Sequence, residues 1–300
     1  MKYPYFLLFA ALTVFVPKAI IWAGPSDHRP PAVAIVTTTH DNGTGSLRAA
    51  IESANKNAGT RIVFRIPATD KGFVRSNAND SSWRIVPSSP LPMLRKPNTR
   101  LEGGGRIVIA GDKVGTGGSG LRVEATRCQI VGMGWSKWPD TAISIRASRI
   151  FVQRNKFESG TTGIAVHGSK SRGNRFEGNT FDGMKKPIAL WDGSNDAIVA
   201  PELKIARDDA ISPVSHKFTI QFAGKPKADV TLELNYSADE ARELANVQKV
   251  SETRTVKTDA QGHATWQFDR KGYPVGSWTV TATQNGSTSA FSNVVVLPYL

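Results

Sequence analysis

Apolar residues in the middle of this chain fall at alternate positions in short runs, and the runs recur. The segments Gly120-Leu-Arg-Val-Glu124, Ala142-Ile-Ser-Ile-Arg146, Gly163-Ile-Ala-Val-His167 and Pro187-Ile-Ala-Leu-Trp191 share one pattern. Their positions Leu121, Ile143, Ile164 and Ile188 are spaced 22, 21 and 24 residues apart. Alternation at period two marks strands, and a period of roughly 20–50 residues marks a solenoid, a propeller or an array. Gly and Asn stand at the breaks and helix-forming runs are scarce, so each repeat reads as one coil of a right-handed parallel β-helix. A second set of strands keeps the period: Arg127-Cys-Gln-Ile130, Arg149-Ile-Phe-Val152 and Gly173-Asn-Arg-Phe176 align. Asn155 and Asn179 are 24 residues apart, as are Phe157 and Phe181. Repeated Asn at a corner suits a tight turn with a hydrogen-bond ladder between coils. Repeated Phe suits a stacked core.

Upstream of the repeats, Val33–Val36 and Ile62–Ile66 read as strands. Ser46 to Asn57 is the convincing helix of the first half. Leu47, Ala50, Ile51 and Ala54 share one face, with Ser46 or Thr44 placed to cap the first turn. Such a helix suits a plug, because the end of a solenoid exposes its core and its strand edges. From about Ile211 the pattern changes. Phe218, Ile220 and Phe222 alternate, as do Val230, Leu232, Leu234 and Tyr236. Ala264-Thr-Trp-Gln-Phe268, Trp278-Thr-Val-Thr-Ala282 and Asn293 to Leu297 continue the alternation, with turn signals at Ala260-Gln-Gly262 and Asn285-Gly286. Asp239-Glu-Ala-Arg-Glu243 reads as a polar insertion of about one helical turn. The expected fold is all-β. A right-handed parallel β-helix with an N-terminal capping helix spans 33–209, and an immunoglobulin-like β-sandwich spans 210–300.

The string Val36-Thr-Thr-Thr-His-Asp-Asn-Gly-Thr-Gly-Ser-Leu-Arg-Ala-Ala-Ile51, followed by Ile62-Val-Phe-Arg-Ile66, resembles the opening of a family of exported bacterial proteins. These are right-handed β-helix proteins of the pectin-lyase-like superfamily. Trp83-Arg-Ile-Val-Pro87, Pro90-Leu-Pro-Met93 and Thr99-Arg-Leu-Glu-Gly103 keep to that pattern. The C-terminal strings Tyr273-Pro-Val-Gly-Ser-Trp-Thr-Val-Thr-Ala-Thr283 and Thr288-Ser-Ala-Phe-Ser-Asn293 are similar to a module that often follows this type of β-helix. The resemblance covers most of residues 33–298. It implies the plugged β-helix and the sandwich, and it says almost nothing about activity.

Met1 to Ala23 reads as a signal peptide. Lys2 supplies the basic start, Phe6 to Val16 the apolar stretch, and Ile21-Trp-Ala23 a small-residue cleavage site. The apolar stretch falls short of the roughly 20 residues that span a membrane, and Pro17 and Lys18 interrupt it. Residues 24–32, rich in proline, read as a linker. No second apolar run of spanning length follows, so the mature chain is expected to be secreted or periplasmic. The formal charge of +13 is uneven. Residues 24–209 carry 27 Lys and Arg against 17 Asp and Glu, whereas 210–300 carry 9 against 8. For an exported protein this cationic excess favours an acidic polysaccharide or an envelope surface as partner, and disfavours nucleic acid. Cys128 stands alone, so an internal disulfide is excluded; it reads as a small buried apolar residue.

With Leu121 and Val123 pointing inward, Arg122 and Glu124 point outward. Carrying that register through the coils places Glu124, Arg146, His167 and Trp191 in one column, beside Arg122, Ser144, Ala165 and Ala189. Coils about 4.8 Å apart make this a strip roughly 15 Å long. Small side chains edged by Trp, His and Arg suit a sugar chain. Trp offers a stacking face, Arg a fork for a carboxylate or sulfate, and His a titratable group. The expected ligand set is Arg122, Glu124, Arg146, His167 and Trp191, and the leading function is recognition of an acidic glycan or cell-surface polymer without catalysis. One alternative is a polysaccharide lyase acting on uronates. Arg146 or His167 would then be the base, with a neighbouring Arg neutralising the carboxylate. A structural or adhesive surface module is the third reading. Glu124, Asp140, Asp182, Asp192 and Asp196 are scattered, without calcium spacing, so no metal or cofactor is expected. His28, His40, His216 and His263 are expected at the surface or in loops, and Trp83, Trp135 and Trp138 in loops or at coil edges.

Overall fold

The computed structural model of the chain describes residues 31–75, 81–207, 215–238, 249–271 and 275–297. The expected signal peptide, most of the linker, His28 and the polar insertion at 239–243 lie outside these residues. The alternating segments pair in parallel, each with its counterpart one coil away. Leu121–Val123, Thr141–Ile145, Thr162–Val166 and Lys186–Leu190 form a four-stranded sheet in which Leu121, Ile143, Ile164 and Ile188 are register partners. A larger sheet runs through Val33–Val36, Arg61–Phe64, Arg100–Ala110, Gln129–Ser136, Lys156–Glu158 and Thr180–Asp182. The result is a parallel β-solenoid of about six turns. Phe73–Arg75 and Ser81–Ile85 add an antiparallel pair at its side.

Inside the coil, like residues stack on like. Leu101, Ile130, Val152 and Phe176 form one buried column, and Ile109, Trp135, Phe157 and Phe181 another. The rings of Phe157 and Phe181 lie 4.9 Å apart and 7° from parallel. The corners hold the expected ladder. Asn155 donates from Nδ2 to Ile130 O at 2.9 Å and accepts from Met133 N–H at 3.0 Å, while Asn179 accepts from Asn155 N–H at 3.0 Å.

Each coil also turns through left-handed corner residues. Asn98, Arg127, Arg149 and Gly173 follow one another with φ of 60°, 60°, 60° and 64°. The N–H of each of the first three donates to a carbonyl of the next coil: Asn98 to Thr126, Arg127 to Ser148 and Arg149 to Arg172, at 2.8–3.1 Å. Arg154 and Gly178 mark a second such corner, and Lys137, Ser159 and Gly183 a third.

The helix Leu47–Ala54 is held at its start by Ser46, whose Oγ accepts from Ala49 N–H at 3.2 Å. Leu47, Ala50, Ile51 and Ala54 are all buried and belong to the solenoid's own core cluster. At the helix end, Asn55 donates to Met93 O and accepts from Arg95 N–H, both at 2.8 Å.

Glu202–Arg207, Ser215–Ala223 and His263–Lys271 form one antiparallel sheet. Asp229–Ser237, Lys249–Lys257 and Gly276–Gln284 form another, edged by Ser287–Thr288 and Val295–Leu297. Leu203, Phe218, Ile220 and Trp266 from the first sheet share an apolar cluster with Leu232, Leu234, Trp278 and Val280 from the second. Antiparallel pairing begins at Glu202, ahead of the expected change near 210. Leu203 is buried against this cluster, but the short Leu203/Ile205 alternation is masked by the charges around it.

Three expectations about single residues are corrected. His216 lies in a strand paired on both sides and is 3% exposed, not a surface or loop residue. Trp135 sits within the strand Gln129–Ser136 and Trp83 within Ser81–Ile85. The glycines around Trp135 look like a bend but serve close packing: a Cβ on Gly134 would meet Val108 Cγ2 at 2.9 Å. Trp138 is buried as well, its Nε1–H donating to Ile109 O at 3.2 Å.

Residues 31–300 form one compact unit, and the C-terminal motif shows how. Thr288 N–H donates to Asn174 O, Thr288 Oγ1 accepts from Phe176 N–H, and Ser287 Oγ accepts from Gly173 N–H, each at 3.0 Å. Asn195 Nδ2 donates to Thr288 O at 2.7 Å. Phe291 meets Phe181 edge-on at 5.6 Å. Glu233 lies at the same junction, beside Gly178 and Glu177. Burial, aided by the Glu177 charge and opposed by the Gly178 N–H, pushes its carboxyl up to about 7.

Asn155→Ala leaves the Met133 N–H and the Ile130 carbonyl buried without the partners that Asn155 supplies. Urea unfolding should show a loss of about 2–4 kcal/mol; a loss below about 1 kcal/mol would mean the ladder adds no stability. Glu233 generates a second expectation. Between the ordinary value of 4.5 and about 7, the folded state holds a proton that the unfolded chain has released. Its contribution therefore falls as pH rises through that window and levels off above it. Melting temperatures of Glu233→Gln should lack this slope, and an unchanged slope would assign it to another group.

Candidate functional site

Parallel register carries the outward side chains of the four-stranded sheet into columns. Arg122, Ser144, Ala165 and Ala189 are direct register partners. One residue further on, the N–H groups of Arg146, His167 and Trp191 donate to Val123 O, Ile145 O and Val166 O, each at 2.9 Å. Glu124, Arg146, His167 and Trp191 thus stand at successive levels.

Between these columns lies an open groove of about 400 Å³. Arg122, Arg146, His167 and Trp191 line it, with the hydroxyls of Ser119, Thr141, Ser144 and Thr162 and the carboxylate of Asp140. Ser144, small and buried, lines the groove, and its register partners Ala165 and Ala189 are small and buried as well. Trp191 is 43% exposed, so part of its indole is available for stacking. Glu124 stands at the rim, where it accepts from Arg122 Nη2 at 3.2 Å, and does not line the groove. Four of the five expected ligand residues are therefore brought together. A second depression of about 460 Å³ adjoins at Arg122, between Asn55, the Pro90–Met93 segment and Arg95.

The groove combines two guanidinium groups and the Asp140 carboxylate around a neutral imidazole. Burial, followed by the nearby Arg146 charge, lowers the His167 pKa from 6.5, against a weaker pull from Asp192 and Asp140. The imidazole is therefore uncharged at neutral pH. Arg146 is exposed and takes part in no ion pair among the described residues. Ser119 Oγ donates to Asp140 Oδ2 at 3.0 Å, which orients that carboxylate at the groove edge.

Lys186 stands beside a groove residue, Trp191, and period-two alternation misses it. Its Nζ lies 4.9 Å from the centre of the Trp191 ring, a cation–π distance. Lys186 is the register partner of Thr162, which in turn pairs with Thr141. This column begins the strands, where strict alternation lapses, so parity assigns it to the wrong side. The signal available in the sequence was the coil spacing of Thr141, Thr162 and Lys186, not their parity.

Cys128 is buried, and burial pushes its thiol up to about 11, which leaves it protonated and unreactive. Among the described residues no three of His, Cys, Asp or Glu are grouped to hold a metal ion, and no helix is long and apolar enough to cross a membrane. No family model matches the chain, and no curated protein matches it.

Proposed function

We propose that the groove binds a segment of an acidic polysaccharide, with sugar rings laid along the coil stack and their carboxylates against Arg122 and Arg146. The observation that carries this reading is the convergence of two guanidinium groups, a partly exposed indole and a row of hydroxyls in one open groove. A guanidinium fork matches a carboxylate bidentately, and an indole face matches the apolar face of a sugar ring. Hydroxyls from Ser119, Thr141 and Thr162 suit sugar hydroxyls. The rest of the proposal is architectural. The solenoid winds right-handedly, the helix Leu47–Ala54 plugs its first coil, and the two antiparallel sheets form an immunoglobulin-like sandwich. Burial of Leu47 and Ile51 in the solenoid core supports the plug, and the cluster shared by both sheets supports the sandwich. The chain is read as exported, secreted or periplasmic.

One observation favours a second reading, a uronate lyase. A neutral His167 beside Arg146 is a competent base next to a group that neutralises carboxylate. The base would take the proton next to the carboxylate, and the bond to the neighbouring sugar oxygen would break to leave an unsaturated end. This reading lacks a second assigned acid for the leaving oxygen, so binding without turnover is preferred.

Calorimetric titration with polygalacturonate and alginate oligomers tests both. The expected result is salt-sensitive binding that Arg146→Ala or Trp191→Ala weakens about tenfold or more, roughly 1.4 kcal/mol. His167 gains its proton only below its lowered pKa, which adds a cation to the groove while uronate carboxylates remain ionised. Affinity should therefore rise as pH falls from 7 toward 5, and His167→Gln should remove the rise. Absence of binding at every salt concentration would overturn the proposal. Growth of ultraviolet absorbance from unsaturated ends, lost in His167→Gln, would replace it with the lyase reading.

A further inference from the structure

Arginine occupies corner positions of the solenoid whose backbone favours glycine. Arg127 and Arg149 stand on successive coils at φ 60°, between Asn98 and Gly173 of the same column, and Arg154 at φ 53° precedes Gly178 at the next corner. Left-handed backbone strains any residue that carries a Cβ. The side chains extend along the stack: a Cβ built on Gly173 would lie 3.6 Å from Arg149 Cγ, and one on Gly178 would lie 3.7 Å from Arg154 Cγ. All three arginines are exposed, and among the described residues none is in an ion pair. By contrast Lys137, at the third corner, has Asp112 at 3.3 Å, and Arg100 and Arg175 on the intervening face pair with Glu102 and Glu177.

Two costs therefore oppose arginine at these corners. One is backbone strain. The other is repulsion between like charges on coils about 4.8 Å apart. Strained residues without a local structural reason cluster at functional surfaces. Lys96, Lys170 and Arg172, exposed in the same bends, extend the row. The row forms a ridge of positive charge along the corners of the stack, with cations on successive coils. A planar array of phosphates can meet such a ridge with many guanidinium groups at once.

We propose that this ridge docks the protein on an anionic lipid surface, with Arg127, Arg149 and Arg154 engaging headgroup phosphates. The docking is electrostatic and does not depend on the groove. The test is co-sedimentation with vesicles of phosphatidylcholine, alone or with phosphatidylglycerol, at low and high salt. The wild type should bind the anionic vesicles at low salt, release at high salt, and ignore the neutral ones. The double variant Arg127→Gly/Arg149→Gly should lose about 30-fold in partitioning. Its melting temperature should hold or rise, because glycine fits the left-handed corner. Arg127→Asn/Arg149→Asn, which also tolerates this backbone, should show the same loss, and Arg146→Ala in the groove should bind vesicles as the wild type does. No binding of the wild type, or equal binding by both double variants and the wild type, would overturn the proposal. So would a double variant that loses polygalacturonate binding and keeps vesicle binding, since the ridge would then serve the glycan.

Discussion

Hydrogen bonding between successive coils is the constraint on which the rest of the molecule depends. Each coil is too thin to bury its own apolar face, so its strands must lie in register on those of its neighbours. Register then converts a repeat of 21–24 residues into columns: Ile on Ile inside, Asn on Asn at the corner, and Arg, His and Trp at successive levels outside. Left-handed corner residues make this possible, because their N–H groups point along the stack and bond the next coil instead of closing the turn locally. The C-terminal end obeys the same demand. Ser287, Thr288 and Phe291 supply the hydrogen bonds and the ring that a further coil would have supplied.

Much of the architecture was legible because period two and the coil period are both strong signals. The stacked Phe157 and Phe181, the Asn155–Asn179 ladder, and the buried helix face of Leu47, Ala50, Ile51 and Ala54 all follow from spacing alone. The departures share one cause: local composition misleads where tertiary contact decides. Glycines around Trp135 resemble a turn, yet they sit in a strand where neighbouring coils approach too closely for a Cβ. His216 looks like an isolated polar residue, yet it is buried between two partner strands. Charges at Glu202 and Lys204 hide the first strand of the antiparallel part. The groove divides the same way. Arg122, Arg146, His167 and Trp191 were predictable from parity, whereas Lys186, beside Trp191, and the threonines below it lie at strand ends where parity fails. Glu124 has the right parity but is drawn to Arg122 at the rim.

The cationic excess of the repeat region resolves into two surfaces of different character. In the groove, two guanidinium groups flank a neutral imidazole and an indole beside a row of hydroxyls, an arrangement with shape as well as charge. On the ridge, exposed arginines stand at strained corners without an ion-pair partner among the described residues, an arrangement with charge alone. The antiparallel sheets are nearly balanced in charge and contribute chiefly to closing the end of the stack. Recognition, on this account, is a property of the solenoid's outer columns.

Engineered cross-linking within the column of Ser144, Ala165 and Ala189 reads the coil register directly. In a Cys128→Ala background, Ser144→Cys with Ala165→Cys joins direct register partners on adjacent coils. Their Cα atoms lie about 4.8 Å apart, within disulfide range. Ser144→Cys with Ala189→Cys spans two coils, roughly 10 Å, beyond that range. Stacked columns require rapid, near-complete oxidation of the first pair and none of the second. Equal behaviour of the two pairs, or preferential closure of the second, would contradict the stacked columns and the groove built on them.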